Sequence, residues 1–305
     1  MDESFTVAAG VEAGVPWGRL YGATFGRPFR GVRSTTVETL DHLGKCRAYS
    51  LLDREQHTFS HESAAVIHGF PLPDYHRPDA IHIAVFAPRK PPQMRGVKAH
   101  QLLPAGHRIA RVDGLRCFAR EDTWAQLSRR LSIEDLVVIG DWLVTGDEPY
   151  SGEASPSTTE DLERALRHHG RRPGIQRLRQ AIELVRYGSL SPQETRVRLE
   201  LVGAGLPEPL LNHRVHHFGH RVAMVDLAYP ADRLAIEYLG DHHRTDQATY
   251  QEDIHRRERL SSAGWTTIFL TAADLRGPTP RAALMVRRAL LRIRSAARAA
   301  PANNS

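Results

Sequence analysis

Towards its C-terminus the chain switches repeatedly between two hydrophobic periods, and each switch marks an element. In SPQETRVRLELVGAGL, Ser191 stands at an N-cap position and Pro192 at the first helical position, and Leu199 and Val202 continue an apolar face until Gly203 or Gly205. LLNHRVHHF, RVAMVDLAY and DRLAIEYLG read as three short strands joined by tight turns. TYQEDIHRRERLSSAGW returns to the helical period and stops at Gly264. TTIFLT reads as a buried strand, and RAALMVRRALLRIRSAARA as a long helix rich in arginine and without an acid. This order, helix–strand–strand–strand–helix–strand–helix, predicts an antiparallel meander and a helical crossover to a further strand. That is an α/β sandwich rather than a helical bundle.

The first half predicts an α+β domain. RPFRGVRSTTV reads as a strand, with a helix following through the forties. FSHESAAVIHGFPLP gives a short helix, with Ser60 as N-cap, Ala64, Ala65 and Ile67 inside and Gly69 as the stop. IHIAVFAP alternates as a strand, PRKPPQMRGVKAH reads as a basic loop, and HRIARVDGLRCF forms a hairpin with Asp113-Gly114 in a type I′ turn. Two helices, Glu121 to Leu131 and Ser132 to Val144, follow, the second opened by a capping box from Ser132 to Asp135. Thr145 to Asp161 has the composition of a linker, from which a further helix starts at Ser157 or Thr158. The expected organisation is an α+β domain over 1–150, a linker with a helix over 151–190 and an α/β domain over 191–305.

Composition narrows the function. A chain of 305 residues with 41% hydrophobic and 25% charged residues reads as a soluble globular protein of one large or two ordinary domains. A net charge of +6, carried mostly by arginine, suits an anionic partner, and nucleic acid is the commonest one; a coding bias toward arginine is the alternative source. Cys46 and Cys117 stand far apart in no metal-ligand spacing, so neither a disulfide framework nor a zinc module is implied. The acidic N-terminal stretch is unlike a signal peptide and no apolar run reaches membrane length, so a cytoplasmic protein without a membrane partner is expected. No phosphate-binding P-loop, dinucleotide fingerprint or nucleophile elbow is present.

The chemistry concentrates in VDLAYPADRLAIEYLGDHHR. Strand parity puts Met224, Asp226 and Ala228 on one face and Ala235, Glu237 and Leu239 on the matching face of the next strand. The large apolar residues on the other faces, Val225, Leu227 and Tyr229 of the first strand and Leu234, Ile236 and Tyr238 of the second, then face a helix layer, leaving Asp226 and Glu237 together on a cleft side. Two close carboxylates repel unless a cation lies between them, and Mg²⁺ or Mn²⁺ with hard oxygen ligands is one solution. The alternative is structural: Asp226 caps the turn or pairs with an arginine, and Glu237 meets Arg221 or Arg233.

The run from Ser191 to about Leu270 resembles the PD-(D/E)XK nuclease superfamily, and within it the very-short-patch-repair (Vsr)-like endonuclease branch. SPQETRVRLELVGAGLP, VDLAYPADRLAIEYLGDHH and DIHRRERLSSAGW, followed by an apolar strand, carry the resemblance in order. The resemblance implies a restriction-endonuclease-like α-β-β-β-α-β-α sandwich in which Asp226 and Glu237 bind Mg²⁺ or Mn²⁺ for hydrolysis of DNA phosphodiesters. Glu194 would be an accessory acid, and His242 and His243 would assist proton transfer or bind phosphate. Glu194 also stands where it can complete a capping box with Ser191. His242 and His243 can equally be exposed turn histidines. Arg256 and Arg257 are candidate phosphate contacts, although Asp253 and Arg256 are also spaced for a structural pair on one helix. The superfamily places a lysine two residues after the second acid, and this chain has Leu239 there. Its alternative function is accordingly a catalytically inactive DNA-binding regulator or antitoxin-like protein.

The first half resembles the AbiE-type antitoxin family through FSHESAAVIHGFPLP, the following strand, the Asp-Gly hairpin and REDTWAQLSRRLSIEDLVVIGDWLV. That resemblance implies a reduced winged-helix region before residue 36 and a possible protein partner. Ser60 and His61 together suggest catalysis, but Ser60 is better explained as a helix cap. His213, His216, His217 and His220 invite a zinc reading, against which stand their spacing and the lack of a cysteine. Arg89, Lys90, Arg95 and Lys98, then Arg171, Arg172, Arg177 and Arg179, are candidate DNA backbone contacts. The last helix offers Arg287, Arg288, Arg292 and Arg294, either as another contact surface or as a solvated face over a Leu284–Leu291 apolar stripe.

Overall fold

The computed structural model describes residues 4–35, 40–52, 54, 56–76, 78–104, 106–240, 247–277 and 280–299, with the side chains of 247–254 outside that description. The chain divides into two units that exchange segments. Met1–Gly140 joins Ser157–Leu184 in the first, and Asp141–Pro156 joins Val185–Ser305 in the second.

The chain begins with β1 (Ser4–Thr6), α1 (Val7–Glu12), α2 (Trp17–Tyr21), β2 (Val32–Ser34) and α3 (His42–Ser50). Next come β3 (Thr58–Phe59), α4 (His61–Ile67), β4 (Ile81–Phe86), β5 (Val97–Leu102), β6 (Ile109–Val112) and β7 (Leu115–Phe118). After them run α5 (Arg120–Leu127), α6 (Ile133–Thr145), which crosses the boundary between units, α7 (Glu148–Ser151), α8 (Thr159–His169) and α9 (Ile175–Leu184). β1 and β2 pair antiparallel, and a mixed five-stranded sheet has the order β5-β4-β3-β7-β6. The β6–β7 turn is of type I′, as expected: Asp113 and Gly114 take φ of 48° and 79°, which a two-residue hairpin needs at both positions. Phe59, Ile81, Ile83, Leu115 and Cys117 on this sheet pack with Cys46 and Tyr49 of α3 and Ala64 and Ile67 of α4. Burial pushes the thiols of Cys46 and Cys117 up to about 12 and about 11, so both are unreactive.

Four local expectations for this unit need correction. The basic segment 88–100 is a loop only as far as Gly96, because Val97 and Ala99 alternate inward and pair with β4. Ser60 stands at the N-cap of α4 without capping it, since its hydroxyl meets His61 Nδ1 at 3.1 Å. The second helix of the expected pair does begin with Ser132 and Asp135 bonded to each other, but the first ends at Leu127. The stretch expected as a linker carries α7, and the capped helix that follows it, with Thr158 and Asp161 in a capping box, belongs to the first unit.

The second unit continues with α10 (Pro192–Gly203), β8 (Leu210–His217), β9 (His220–Tyr229), β10 (Leu234–Tyr238), α11 (Gln247–Ser262), β11 (Thr266–Leu270) and α12 (Ala282–Ala299). Its sheet has the order β11-β10-β9-β8, with β9 antiparallel to both neighbours and β10 parallel to β11. Leu227, Tyr229, Leu234 and Ile236 pack against Val197 and Leu201 of α10 and Val286 and Leu290 of α12. Ala228 and Ala235 pack with Leu260 of α11 in a separate cluster. Val225, expected on the face of Leu227 and Tyr229, belongs to this second cluster instead, so strict alternation along β9 holds only from Leu227 to Tyr229. The molecule is thus a mixed α/β protein. Gly264, at φ 78°, ends α11 in the left-handed conformation, and Trp265 N–H returns to the Leu260 carbonyl.

TTIFLT supplies the edge strand β11, in which only the last residue, Leu270, is buried, because β11 has a neighbour on one side alone. The inward face of α12 is Ala282, Ala283, Val286 and Leu290, whereas Leu284 and Leu291 are 48% and 60% exposed. The apolar stripe is therefore rotated from the one expected. Beneath α10, Arg198 donates to Asp141 Oδ2 at 2.8 Å with both side chains 1% exposed, and Thr195 donates to the same oxygen. No helix among the described residues is long and apolar enough to cross a membrane.

Candidate functional site

β9 and β10 pair with Tyr229 opposite Leu234, Ala228 opposite Ala235 and Leu227 opposite Ile236. The pairing ends there; continued by one residue, the same register brings Asp226 level with Glu237. Tyr238 N–H donates to Asp226 Oδ2 at 2.8 Å and fixes that oxygen at the end of the strand pair. Like charges placed opposite each other are destabilising. Arg256 offsets part of that repulsion, donating to Glu237 Oε1 at 2.7 Å and to the Met224 carbonyl.

The face carrying the acids differs from the expected open cleft. Leu260 of α11 covers Ala228 and Ala235, and Arg256, one turn earlier on α11, extends that cover over Glu237, which is buried. The charge beside Glu237 thus comes from a helix laid across the sheet, a contact that strand parity does not reveal.

Glu194 joins the two acids from the start of α10. Its N–H donates to the Ser191 hydroxyl at 3.2 Å, which is half of the expected capping box; the other half is missing, because the carboxylate turns to the preceding residue. Its carboxylate accepts at Oε2 from Leu190 N–H at 2.9 Å and from Asn212 Nδ2 at 2.7 Å. Burial pushes this carboxyl up, and the negative charge of Asp226 pushes it further, to about 7. Glu194 is therefore both a helix-start residue and a member of the acidic group. Tyr150 of α7 borders the same group: burial raises its phenol, and so do the charges of Glu194, Asp226 and Glu237. Tyr150 and Asn212 are absent from the sequence-based site because each arrives from a segment distant along the chain.

Arg257 stacks its guanidinium 3.8 Å from the centre of the Phe269 ring, and Phe269 pairs with Glu237 across β10 and β11. Leu239 donates its N–H to the Leu270 carbonyl at 2.7 Å, adding a backbone bond but no side-chain chemistry. His242 and His243 lie outside the described residues, as does the side chain of Asp253. In donor chemistry Asp226, Glu237 and Glu194 are hard oxygen ligands of the kind Mg²⁺ or Mn²⁺ takes, and a dication relieves repulsion of the kind felt at Glu194, but the three do not form a set with ligand atoms within 4.8 Å of one another.

Among the described residues, sets of three ligating side chains with their atoms within 4.8 Å of one another occur in the first unit, as His61/His82/His100 and His107/Asp122/His168. The first set is missed by sequence reasoning, apart from His61. The signal for it is His82, a polar residue in the otherwise apolar run of β4. His82 Nδ1 lies 3.2 Å from His100 Nε2, and the His61 and His100 rings stack with centres 4.2 Å apart. Beneath them Glu62 binds Arg130 at 2.6 Å and His76 at 2.8 Å. Burial alone would raise the Glu62 carboxyl, but His82 and Arg130 outweigh it and hold it at about 2. Burial lowers His82 to about 4 and holds His61 well below the ordinary imidazole value.

The basic candidates separate into two groups. Arg89, Lys90, Arg95, Lys98, Arg171, Arg179, Arg288 and Arg292 are exposed. Arg172 donates to the His168 carbonyl, Arg177 to the carbonyls of Ser128 and Arg129, Arg287 to that of Ala204, and Arg294 makes two bonds to Asp232. The second group brace the fold. His213 lies against the Trp265 ring and His217 against Phe218, and neither belongs to a three-ligand set among the described residues.

No family model matches the chain. It is 29% identical over 234 residues to two proteins of Mycobacterium tuberculosis: the uncharacterized protein MT2308 of strain CDC 1551 / Oshkosh and the uncharacterized protein Rv2248 of strain ATCC 25618 / H37Rv. Each match covers 77% of this chain and 81% of the relative.

Proposed function

We propose that the second unit is a metal-dependent endonuclease that hydrolyses DNA phosphodiesters. The observation that carries this reading is the shared electrostatic environment of three acids: on top of burial, Asp226 helps push Glu194 up to about 7, and Asp226, Glu194 and Glu237 all raise the phenol of Tyr150. The resemblance of the same segment to PD-(D/E)XK nucleases of the Vsr-like branch supports it. Asp226 and Glu237 would hold Mg²⁺ or Mn²⁺, which when bound supplies an activated water and neutralises charge on the phosphodiester. Glu194 holds a proton near neutrality beside Asp226 and is placed to exchange it. Arg256 fixes the Glu237 carboxylate, and Arg257 presents positive charge on the adjoining surface. Exposed cations such as Arg89, Lys90 and Arg171 supply attraction to the DNA backbone that is independent of sequence.

A second reading rests on the Arg256–Glu237 ion pair and on Leu239, where the resembling family has a lysine: a DNA-binding regulator that keeps a nuclease-like fold as its scaffold. Nicking of supercoiled plasmid with Mg²⁺ or Mn²⁺ decides between them. Cleavage by the wild type, lost in Asp226→Ala and Glu237→Ala with DNA binding retained, supports the nuclease. Binding without metal-dependent cleavage above the variants supports the regulator.

A further inference from the structure

A cavity of about 230 Å³ in the first unit gathers buried polar atoms that the fold leaves without partners. Among the described residues, His107 Nδ1, His168 Nε2 and Gln126 Nε2 are buried with no hydrogen bond, and all three residues line this cavity. Asp122 lines it as well, with its Oδ1 3.8 Å from His107 Nδ1. That is beyond hydrogen-bonding distance, so the carboxylate does not satisfy the imidazole. Buried polar groups are nearly always paired, and three unpaired nitrogens around one space point to a missing occupant.

We propose that His107, Asp122 and His168 bind one divalent transition-metal ion of the zinc class, with a further coordination position facing the cavity.

Their ligand atoms all lie within 4.8 Å of one another. Zinc bonds of roughly 2.0–2.2 Å in tetrahedral geometry set ligand atoms roughly 3.3–3.5 Å apart, so small side-chain rotations suffice. Two imidazole nitrogens with one carboxylate select a borderline ion over Mg²⁺ or Ca²⁺. The His107 and Asp122 side chains are 6% and 7% exposed, and the His107 and His168 rings meet edge to face with centres 5.0 Å apart.

Neighbouring residues hold the ligands in place. Asp122 Oδ2 accepts the Arg108 N–H at 3.1 Å, which turns Oδ1 toward His107. Gly106, at φ 79°, lets the His168 ring lie on the backbone, since a Cβ there would come within 2.0 Å of the ring. Burial lowers the proton affinity of His168, and nearby His107 lowers it further, keeping a lone pair for coordination. On the cavity wall Arg129 and Arg172 add positive charge, which suits a water or a small anion as the remaining ligand.

The test uses full-length protein stripped by a chelator and titrated with Co²⁺, following bound metal and visible ligand-field absorption. With excess Mg²⁺ present to fill the carboxylate site, the expected result is one Co²⁺ per chain, displaced by Zn²⁺. Binding should weaken by at least about tenfold in His168→Ala and in Asp122→Asn, and persist in His100→Ala and Asp226→Ala. Circular dichroism checks folding, and if His168→Ala does not fold, Asp122→Asn decides, because it keeps an acceptor for the Arg108 N–H. Absence of stoichiometric binding by the wild type overturns the proposal. So does binding that survives Asp122→Asn or is lost in His100→Ala, the latter moving the ion to the other histidine set.

Discussion

In the first unit the buried titratable groups are imidazoles gathered around Glu62; in the second they are carboxylates with a guanidinium against Glu237. Burial disfavours charge in both, but the consequences run in opposite directions along the pH scale. His82 binds its proton less readily in the fold, at about 4 against an ordinary 6.5, so the unfolded chain gains that proton first and stability falls as pH drops through this window. Glu194 keeps its proton longer in the fold, to about 7 against an ordinary 4.5, so the unfolded chain loses that proton first and stability falls as pH rises. The first unit should therefore be the acid-sensitive one, and the second should weaken toward neutrality unless a cation is supplied.

Removing a partner from the most buried ion pair should separate the units most sharply. Arg198→Ala leaves Asp141 buried without its counter-ion, so calorimetry should show the second unit's transition lowered by about 3–5 kcal/mol while the first unit's stays in place. Next in size is Glu194→Gln, which should abolish a loss on the order of 3 kcal/mol in the second unit between pH 4.5 and 7. In the wild type, Mg²⁺ should raise the second unit's melting temperature more at pH 8 than at pH 6, since binding displaces the Glu194 proton. An effect of comparable size is expected from His82→Gln, which should flatten the first unit's loss of stability between pH 6.5 and 4 and leave the second unit unchanged. The smallest is Lys90→Ala: unchanged melting, DNA affinity reduced alike for every sequence, and a salt dependence shallower by about one unit.

Much of the second unit is legible in the sequence because its punctuation agrees with its periods. Ser191 and Pro192 open α10, Gly264 closes α11, and the apolar residues of β9 and β10 nearest their turn keep strict alternation onto the α10–α12 core. Asp226 and Glu237 follow from the same parity. What alternation cannot supply is the covering layer, so Arg256 over Glu237 and Tyr150 beside all three acids become visible only in three dimensions. The helix phase of α12 misleads for a related reason: its inward face uses Ala282 and Ala283, small residues that let it sit close to the sheet, while the larger Leu284 and Leu291 point outward. In the first unit, Val97 and Ala99 are obscured by the cations between and before them, although their alternation is that of a strand.

The exchange of segments between units also sets an order of events on the ribosome. Asp141 is synthesised 57 residues before Arg198, the cation that neutralises it. At 5–20 residues per second that interval is about 3–11 s. During it, the C-terminal end of α6 carries a charge with no counter-ion and no core to enter, so it must stay hydrated while the N-terminal elements consolidate. The ion pair of the second unit therefore closes only after the whole of the first unit's 157–184 segment has been made.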